Sequence, residues 1–581
     1  IIMNGHRVAT NGDIRLEATP GQWQPVPKQL DRKLGDNSIT ATLCYPDSSR
    51  HLTGFNPMIY PDLHLIYTVN VESKGKNIEV TVDLDRPIPQ EFIGKVGFNL
   101  EFFPGSLFGK PWIMDGQSGI FPQQPNSPLM TTQPNYLHTG NYHDGKQSLA
   151  DMDKLIGKGY SPIVADDIIS EPYAKGTKFT SRPDDPYNKV TIESLSGDLQ
   201  LFDGRMNHNN GWFVLRSNIK PGVTKGAVKW IITPNVVADW MYQPVIQTSQ
   251  IGYHPTQDKE AVIEMDIRDN RKETAQIIRI DADGEKVVKN VTPANWGKFL
   301  RYNYLKVNFT DVKEPGLYKI KYNTSVSPIF RIDNDVYARG VWQPVLEYFL
   351  PVQMCHMRVN EKYRVWHDCC HMDDAQMAPA HNHIDGYDQK EGLSKFKPGE
   401  VVPGVNIGGW HDAGDFDLRI ESQAGESYIL ALAYEAFHPN LDVTSIDQIN
   451  RVTEIHQPDG KNDLLQQVEN GALTVVNGYL ALGRLYRGII CNDLRQYVLL
   501  GDAAAMTDGK IGNEDDRWIF TEDNPGRELS TAAQLAAVSR VLKGFNDTLS
   551  VHCLDIARKV YASTGSGNNR ALFPKVQAAV E

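Results

Sequence analysis

The feature of this chain that most constrains its fold is a change of hydrophobic period near Val336. Before this point apolar and polar residues alternate, as in residues 78–84 and 261–267, which is the pattern of half-buried strands. After it, apolar residues recur every three or four positions, as the buried face of a helix requires. Since a chain of 581 residues exceeds what one hydrophobic core supports, the sequence predicts several domains, β-rich first and helical last.

Three units are predicted from this pattern. Residues 1–240 are expected to form a β-sandwich-like domain of unknown role. Residues 244–335 fit an immunoglobulin-like (Ig-like) β-sandwich, because short strands alternate with turns such as the one at residues 281–284. Residues 336–581 are expected to be all-α, and a helical toroid is favoured over a solenoid because no fixed-period repeat is found. The predicted helices cover residues 336–359, 421–437, 463–486, 531–542 and 551–564.

The composition excludes two kinds of partner. A net charge of -12 does not provide the basic face that a nucleic acid requires, and no apolar run approaches the roughly 18 residues of a membrane span. The start of the chain, IIMNGHRVATNGD, lacks the basic head and apolar core of a leader, so we expect a cytoplasmic protein or one whose leader has been removed. The sequence does not predict the oligomeric state.

Four aromatic residues of the first unit, Trp112, Tyr136, Tyr142 and Trp212, have the flat faces that stack on sugars. Packing inside the domain is the simpler explanation for them, because large aromatic residues are mostly buried.

Residues 408–417 read GGWHDAGDFD and hold the strongest candidate site. Asp412 and Asp415 stand three residues apart, and the small residues between them let the backbone turn tightly. Trp410 offers an aromatic face to a sugar ring just before them. Paired carboxylates beside such a face indicate the activation of water at a carbohydrate. The alternative is a turn in which Asp412 caps the following helix.

A second group of residues has the character of metal ligands. Cys355, Cys370, His371 and His411 supply the thiolates and imidazoles that zinc prefers, and His381 and His383 lie between them. The spacing does not match a zinc finger, so a disulfide between the two cysteines, or two buried free thiols, is an equal alternative. With His411 as a ligand, zinc would hold the neighbouring loop rigidly. The sequence leaves calcium open but gives no basis for deriving a site.

Several segments resemble glycoside hydrolase family 9, the inverting cellulase family, in its subgroup with an N-terminal Ig-like domain. The segments are SQIGYHP at 249–255, EPGLY at 314–318, QMC at 353–355, HDCCHMDD at 367–374, the loop at 408–417, and residues 528–542. The resemblance covers residues 245–581 and leaves residues 1–240 outside it. It implies an (α/α)6 barrel after the Ig-like domain.

The resemblance also implies an activity and the residues that carry it. The activity is that of an endo-β-1,4-glucanase, which hydrolyses a β-linked poly- or oligosaccharide with inversion of configuration. By position, Asp415 is implied to be the general base and Asp412 to help hold the attacking water. Cys355, Cys370 and His371 correspond to zinc ligands of the family, so a structural zinc is the implied cofactor.

The sequence departs from the family in ways that shape these expectations. Residues 336–581 are too few for the whole barrel, so we expect about half of it here and the general acid beyond residue 581; this segment alone is then inactive. Asp417 and Arg419 differ from the usual residues and are expected to alter a sugar-binding subsite. An added carboxylate suits an amino sugar, which makes an exo-β-glucosaminidase or another exo-acting β-glycosidase the alternative activity.

A different class of function is a non-catalytic carbohydrate-binding protein that keeps a hydrolase fold. The presence of both Asp412 and Asp415 argues against it, because binding alone requires neither. Since polysaccharides lie outside the cell, a secreted or periplasmic location is expected, with a cytoplasmic enzyme as the alternative.

Overall fold

The structure, a computed structural model, describes most of the chain in several stretches. These are residues 1–16, 27–47, 49, 63–125, 129–130, 169–206, 211–379, 387, 389–390, 392–412, 416–491, 507–512, 516–565 and 569–581. Asp415, His381, His383, Tyr136 and Tyr142 therefore lie outside the described residues. Within the described stretches, no helix combines the length and the hydropathy needed to cross a bilayer.

The first part of the chain forms two antiparallel sheets that enclose a common core. Its strands are β1 (Ile2–Met3), β2 (His6–Arg7), β3 (Ala9–Leu16), β4 (Lys28–Leu34), β5 (Ser38–Tyr45), β6 (Leu65–Lys74), β7 (Asn77–Leu84), β8 (Val96–Phe102), β9 (Pro111–Met114), β10 (Gln117–Ile120), β11 (Leu129–Met130), β12 (Ile169–Ser170), β13 (Ala174–Gly176), β14 (Lys178–Ser181), β15 (Val190–Ser194), β16 (Leu199–Asp203), β17 (Phe213–Asn218) and β18 (Val228–Pro234). Short 3-10 turns cover Gln90–Phe92, Pro104–Ser106 and Gly204–Met206. One sheet has the order β10-β9-β14-β15-β18-β7-β6-β5-β4, and the other has β13-β16-β17-β8-β3.

Alternation along the strands explains the core between these two sheets. In β7 the buried residues are Val80, Val82 and Leu84, every second position, as the sequence pattern predicts. Trp112 is buried in the same core, and Trp212 packs edge to face on a phenylalanine, with ring centroids 4.7 Å apart. The described aromatic candidates of this part thus pack within it, in agreement with the simpler of the two explanations.

The second part of the chain is a smaller sandwich with its own core. Its strands are β19 (Val245–Gln247), β20 (Glu260–Asp266), β21 (Ala275–Asp281), β22 (Gly284–Val291), β23 (Ala294–Phe299), β24 (Tyr302–Asn308), β25 (Gly316–Tyr322), β26 (Ser325–Val326) and β27 (Phe330–Ile332). One sheet has the order β19-β20-β24-β23; the other has β22-β21-β25-β26, with β27 also paired to β25. Asp281 pairs with Gly284, so the turn predicted at residues 281–284 is a two-residue hairpin.

The last part of the chain carries most of the helices. They are α1 (Gln343–Glu347), α2 (Leu350–Gln353), α3 (Ile420–Phe437), α4 (Asp463–Leu482), α5 (Pro525–Leu542), α6 (Asp547–Ser563) and α7 (Asn569–Val580). Helix α3 packs against α4 and α5, and α5 packs against α6 and α7. Asparagine side chains cap three helix starts. Asn462 accepts from two backbone N–H groups of α4, and Asn524 and Asn546 each accept from one backbone N–H group, in α5 and α6 respectively.

Two predictions for this part are wrong. The single helix predicted over residues 336–359 is broken into α1 and α2, because Pro344 and Pro351 lack the N–H that a continuing helix needs. The part is also not all-α, since it contains small sheets of short strands. These are β28 (Arg358–Glu361), β29 (Arg364–His367), β30 (Gln376–Met377), β31 (Leu418–Arg419), β32 (Thr444–Asp447), β33 (Val452–Ile455), β34 (Gly488–Cys491) and β35 (Arg517–Phe520). Strands of two to four residues are too short to show a period in the sequence.

A glycine at the contact between α3 and α4 lets these helices approach closely. A Cβ added to Gly471 in α4 would lie 2.3 Å from Ser427 Oγ of α3 and 2.4 Å from the Trp410 ring. Gly425 in α3 has no such neighbour, because the nearest atom to its added Cβ is 3.7 Å away. The position of Trp410 therefore depends on the missing side chain of Gly471.

We expect Gly471→Ala to lower the free energy of unfolding by about 1–3 kcal/mol through overpacking. Gly425→Ala is the matched control, and it should be neutral or stabilising by up to about 1 kcal/mol, since alanine favours the helix. Thermal and urea unfolding of both variants measures the difference. Equal stability of the two variants would contradict the close packing described here.

Candidate active site and metal site

Two glycines seat the loop at residues 408–412 directly on helix α4. Gly408 and Gly409 have φ angles of +66° and +89°, and an added Cβ would lie 2.3 Å from Asn470 O and 2.7 Å from Thr474 Oγ1 respectively. The N–H of Gly409 donates to Asn470 O at 3.0 Å, and the Thr474 hydroxyl donates to Ile407 O at 2.9 Å. Only glycine combines this backbone with so close an approach.

Trp410 is a core residue rather than a surface for sugar. Its N–H donates to Gln423 Oε1 at 2.9 Å, and the Gln423 amide donates back to Trp410 O at 2.7 Å. The ring packs near Phe349 and over Gly471, and only 2% of the residue is exposed. The prediction that Trp410 stacks on a sugar ring is wrong, because the small residue on α4 opens a pocket that the ring fills from inside.

The four predicted metal ligands lie together in the core. The Sγ atoms of Cys355 and Cys370 are 3.8 Å apart, Cys355 Sγ is 3.8 Å from His371 Nδ1, and Cys370 Sγ is 3.7 Å from His411 Nε2. All four ligand atoms lie within 4.8 Å of one another, and all four residues are buried. The thiols of Cys355 and Cys370 are not joined as a disulfide.

The spacing of these atoms fits a tetrahedral ion. Zinc–sulfur bonds of about 2.3 Å and zinc–nitrogen bonds of about 2.0–2.1 Å place the ligand atoms of a tetrahedron about 3.3–3.8 Å apart. Burial lowers the pKa of His371 to about 4 and also lowers that of His411, so both imidazoles are neutral, as metal ligation requires.

The charge state of the Cys355 thiol also suits a metal. Burial alone raises its pKa, but the hydrogen bond from Cys370 and the positive charge of Arg517 outweigh burial and hold the pKa well below its ordinary value. The Cys370 pKa is raised by that same hydrogen bond and by burial. One thiolate and one thiol therefore face each other, and a divalent cation would favour the loss of the second proton.

Arg517 joins the metal-ligand cluster to the candidate active-site loop. It lies on β35, is fully buried, and its Nη2 is 3.1 Å from Cys355 Sγ. Its Nε donates to Asp374 Oδ1 at 3.1 Å, its Nη2 donates to Asp374 Oδ2, and its Nη1 donates to the carbonyl of Phe416. A single guanidinium thus bonds to a thiolate, a carboxylate and the backbone of the loop.

His356 completes this network from the other side. Burial lowers its pKa, but the Cys355 thiolate and the hydrogen bond to Asp374 raise it more, to about 9. The resulting imidazolium donates from Nδ1 to Gly408 O at 2.9 Å and from Nε2 to Asp374 Oδ2 at 2.8 Å. Our sequence analysis missed His356, Asp374 and Arg517. The first two adjoin the predicted ligands, but nothing near Arg517 in the sequence marks it.

The two ends of the acidic loop meet across residues 413–415. The N–H of Asp412 donates to Asp417 O at 3.0 Å, which joins the described residues on either side of residues 413–415. The Asp412 carboxylate lies 3.0 Å from Arg419 Nε, and its side chain is 13% exposed. The guanidinium of Arg419 is 28% exposed and lies over the Tyr387 ring at 5.9 Å. Asp412 and Arg419 thus face the same open side of the loop.

Asp417 has a structural position instead. Its carboxylate is fully buried, accepts from the N–H of Cys491 at 2.9 Å, and accepts from the Tyr387 hydroxyl at 3.5 Å. These bonds fasten the end of the loop to β34. The expectation that Asp417 contacts sugar is therefore wrong, because its oxygens are used to satisfy buried donors.

Glu426 on α3 is a second carboxyl, close enough to Asp412 to be affected by its charge. Burial and then the negative charge of Asp412 raise its pKa to about 7. Glu426 therefore gains or loses a proton near neutral pH in the folded protein.

Two family models match consecutive parts of the chain. Residues 241–327 match the cellulase N-terminal Ig-like domain, and residues 345–579 match glycosyl hydrolase family 9. The chain therefore belongs to glycoside hydrolase family 9, in the group with an N-terminal Ig-like domain. The first 240 residues lie outside both matches.

Solved structures of the same family are similar in part. A Bacteroides ovatus GH9 protein is 20% identical over 55% of this chain and 53% of its own, with a TM-score of 0.40. AaCel9A, in complex with cellobiose-like isofagomine, is 18% identical over 58% of each chain, with a TM-score of 0.38. A Zn-binding triple mutant of endoglucanase J30 is 20% identical over 56% of this chain and 59% of its own, with a TM-score of 0.40. The chain thus spans less than two thirds of each of these proteins, and no curated protein matched it.

The raised pKa of Glu426 predicts how stability changes with pH. Its ordinary value is 4.5 and its folded value is about 7, so the folded state binds more protons between these limits. The contribution of Glu426 to the free energy of unfolding should therefore fall as pH rises from about 4.5 to 7. Glu426→Gln should remove this loss and be more stable than the parent at pH 8.

Glu435 on the same helix is a control of opposite sign. Its bond to Arg540 lowers its pKa, so it contributes stability above its ordinary pKa, and that contribution is lost as pH falls. Urea unfolding from pH 5 to 8 should show Glu435→Gln less stable than the parent at pH 8. A pH profile unaltered by Glu426→Gln would refute the assignment.

Proposed function

We propose that this chain hydrolyses β-glycosidic bonds in a β-glucan-type poly- or oligosaccharide, as an inverting, endo-β-1,4-glucanase-like enzyme. The observation that supports the proposal most is the loop at residues 408–419. Its glycines contact α4 closely, its far end is hydrogen-bonded to β34, and the Asp412 side chain is partly exposed beside Arg419. A partly exposed carboxylate, with bonded residues on both sides of it, meets the first requirement of water activation.

In this proposal Asp415 is the general base and Asp412 holds the attacking water with it. An inverting hydrolase places its base and its acid roughly 6.5–9.5 Å apart, so that water fits between the base and the sugar. Arg419 compensates the charge of Asp412 from 3.0 Å away and leaves room for a ligand on its exposed side. The acid is expected from outside the described residues.

We propose zinc as the resident metal, held by Cys355, Cys370, His371 and His411. The role of this zinc would be structural, since four protein ligands leave no coordination position open for a substrate. The ligands belong to three separate points of the chain, and His411 is the neighbour of Asp412. Two neighbours of the ligands also bond to the loop: His356 bonds to the backbone before Asp412, and Arg517 bonds to the backbone after Asp415.

The substrate class follows from what the loop exposes. An amino sugar was favoured by a free carboxylate at Asp417, and that carboxylate is buried and hydrogen-bonded. A neutral β-glucan therefore remains the better candidate than a glucosamine-containing chain. We also propose that the helices belong to an (α/α)6 barrel, that residues 1–240, 244–335 and 336–581 are the domains, and that the protein acts outside the cytoplasm.

The test is the release of reducing sugar from β-1,4-glucan, xyloglucan and chitosan oligosaccharides by the complete protein, in which the general acid is present. We expect Asp415→Ala to lower the rate on β-1,4-glucan by about 10²–10⁴-fold, the usual contribution of a general base. Asp555→Ala, an exposed carboxylate of α6, is the matched control and should keep the parent rate.

NMR of the fresh product distinguishes the mechanisms, because inversion of a β-linkage yields the α-anomer first. Unchanged hydrolysis by Asp415→Ala, or a β-anomer as the first product, would overturn the proposal.

A further inference from the structure

An open groove lies on the Ig-like part of the chain, apart from the acidic loop. It has a volume of about 220 Å³ and is lined by Val262, Trp296, Phe299, Tyr304 and Lys306, here named the aromatic groove. The lining residues come from β20, β23 and β24, which are neighbours in one sheet. The other face of β20 and β24 is buried in the domain core. The aromatic groove is therefore on the outer face of a rigid sheet.

The local backbone directs the aromatic rings outward. The register between β23 and β24 shifts between Asn295 and Gly297, so Trp296 is an extra residue in a β-bulge, which re-aims its side chain. Gly297 supplies the φ of +131° that this bulge uses. Trp296 meets the Tyr304 ring edge to face at 5.7 Å, and 57% of it stays exposed. Phe299, the last residue of β23, is 58% exposed.

The charged groups around the aromatic groove are bonded to neighbouring side chains. Lys306 pairs with Glu260 at 2.7 Å across the sheet. Glu264 accepts from the Tyr304 hydroxyl at 3.0 Å and from the Tyr242 hydroxyl at 2.9 Å. The rim thus offers a hydroxyl, two carboxylates and an ammonium group, and each of these groups already has a partner. Such a rim suits a neutral, hydroxyl-rich ligand better than a charged peptide or a nucleic acid.

The size of the aromatic groove also argues for a small ligand. A stable protein interface uses roughly 20–30 residues on each side, whereas five line this groove. A second copy of the chain or a folded partner would need much more apolar surface than that. Concave sites with aromatic walls and a few fixed polar groups are typical of small-molecule sites.

We propose that the aromatic groove is a saccharide-binding subsite that holds a β-linked glucan chain without cleaving it. The Trp296 and Phe299 rings pack on the apolar C–H faces of the sugar rings, and Tyr304 and Lys306 bond to their hydroxyls. Because the rings stand on paired strands, little conformational entropy is lost on binding. The choice of a glucan as the ligand rests on the proposed function. The inference that the groove binds a neutral, hydroxyl-bearing ligand rests on the groove alone.

The test is calorimetric titration of the full chain with cellohexaose in an Asp415→Ala background, where the proposed hydrolysis does not consume the ligand. Adding Trp296→Ala should weaken binding about tenfold or remove one binding event, as expected for the loss of an aromatic stacking surface. Ile329→Ala is the matched control, since Ile329 is an apolar residue of the same part of the chain with 61% exposure. It should bind as the parent does. Phe299→Ala repeats the test if Trp296→Ala fails to fold.

The outcomes separate this proposal from the catalytic one. Trp296→Ala alone should hydrolyse a short aryl-cellobioside at the parent rate, so inactivity of the parent bears only on the proposed function. Cellohexaose affinity within twofold of the parent in both groove variants would overturn the saccharide subsite. A change of oligomeric state in Trp296→Ala by size exclusion, with unaltered cellohexaose affinity, would also overturn it and assign the groove to protein contact.

Discussion

The buried guanidinium of Arg517 is the interaction on which the candidate site depends. A charge removed from water is tolerated only when it is paired and hydrogen-bonded, because an unpaired buried charge costs several kcal/mol. Here the compensation comes from the Cys355 thiolate and the Asp374 carboxylate, with His356 as a second cation in the same network. Arg517 lies 143 residues from Asp374 and 162 from Cys355, so distant parts of the chain have to meet before its charge is compensated.

This dependence explains how the described residues on both sides of residues 413–415 are held in place. Its glycine end accepts from the His356 imidazolium and rests on α4, and its far end accepts from Arg517 through the Phe416 carbonyl. The buried carboxylate of Asp417 then fastens β31 to β34. Asp412 is left as the carboxylate whose position is fixed but whose side chain still reaches the surface. A precise site is thus built from groups that do not themselves touch a substrate.

The sequence predicted what depends on local pattern and missed what depends on distant contacts. The alternation in β7, the hairpin at residues 281–284 and helices α3 to α6 follow from period and turn chemistry, which neighbouring residues determine. The ligand group was found because its residue types are distinctive. The burial of Trp410 and Asp417 was not predictable, because it depends on Gly471 of α4 and on the backbone of Cys491. Residue type alone does not distinguish a carboxylate that binds sugar from one that caps a strand.

X-ray absorption at the zinc edge of the purified full chain tests most directly whether the buried cluster is a metal site. We predict one zinc per chain with two sulfur ligands at about 2.3 Å and two nitrogen ligands at about 2.0–2.1 Å. With Cys370→Ser, one sulfur should disappear from the shell while His371 and His411 remain. A chain that binds no zinc, or a shell of oxygen and nitrogen alone, would contradict the account.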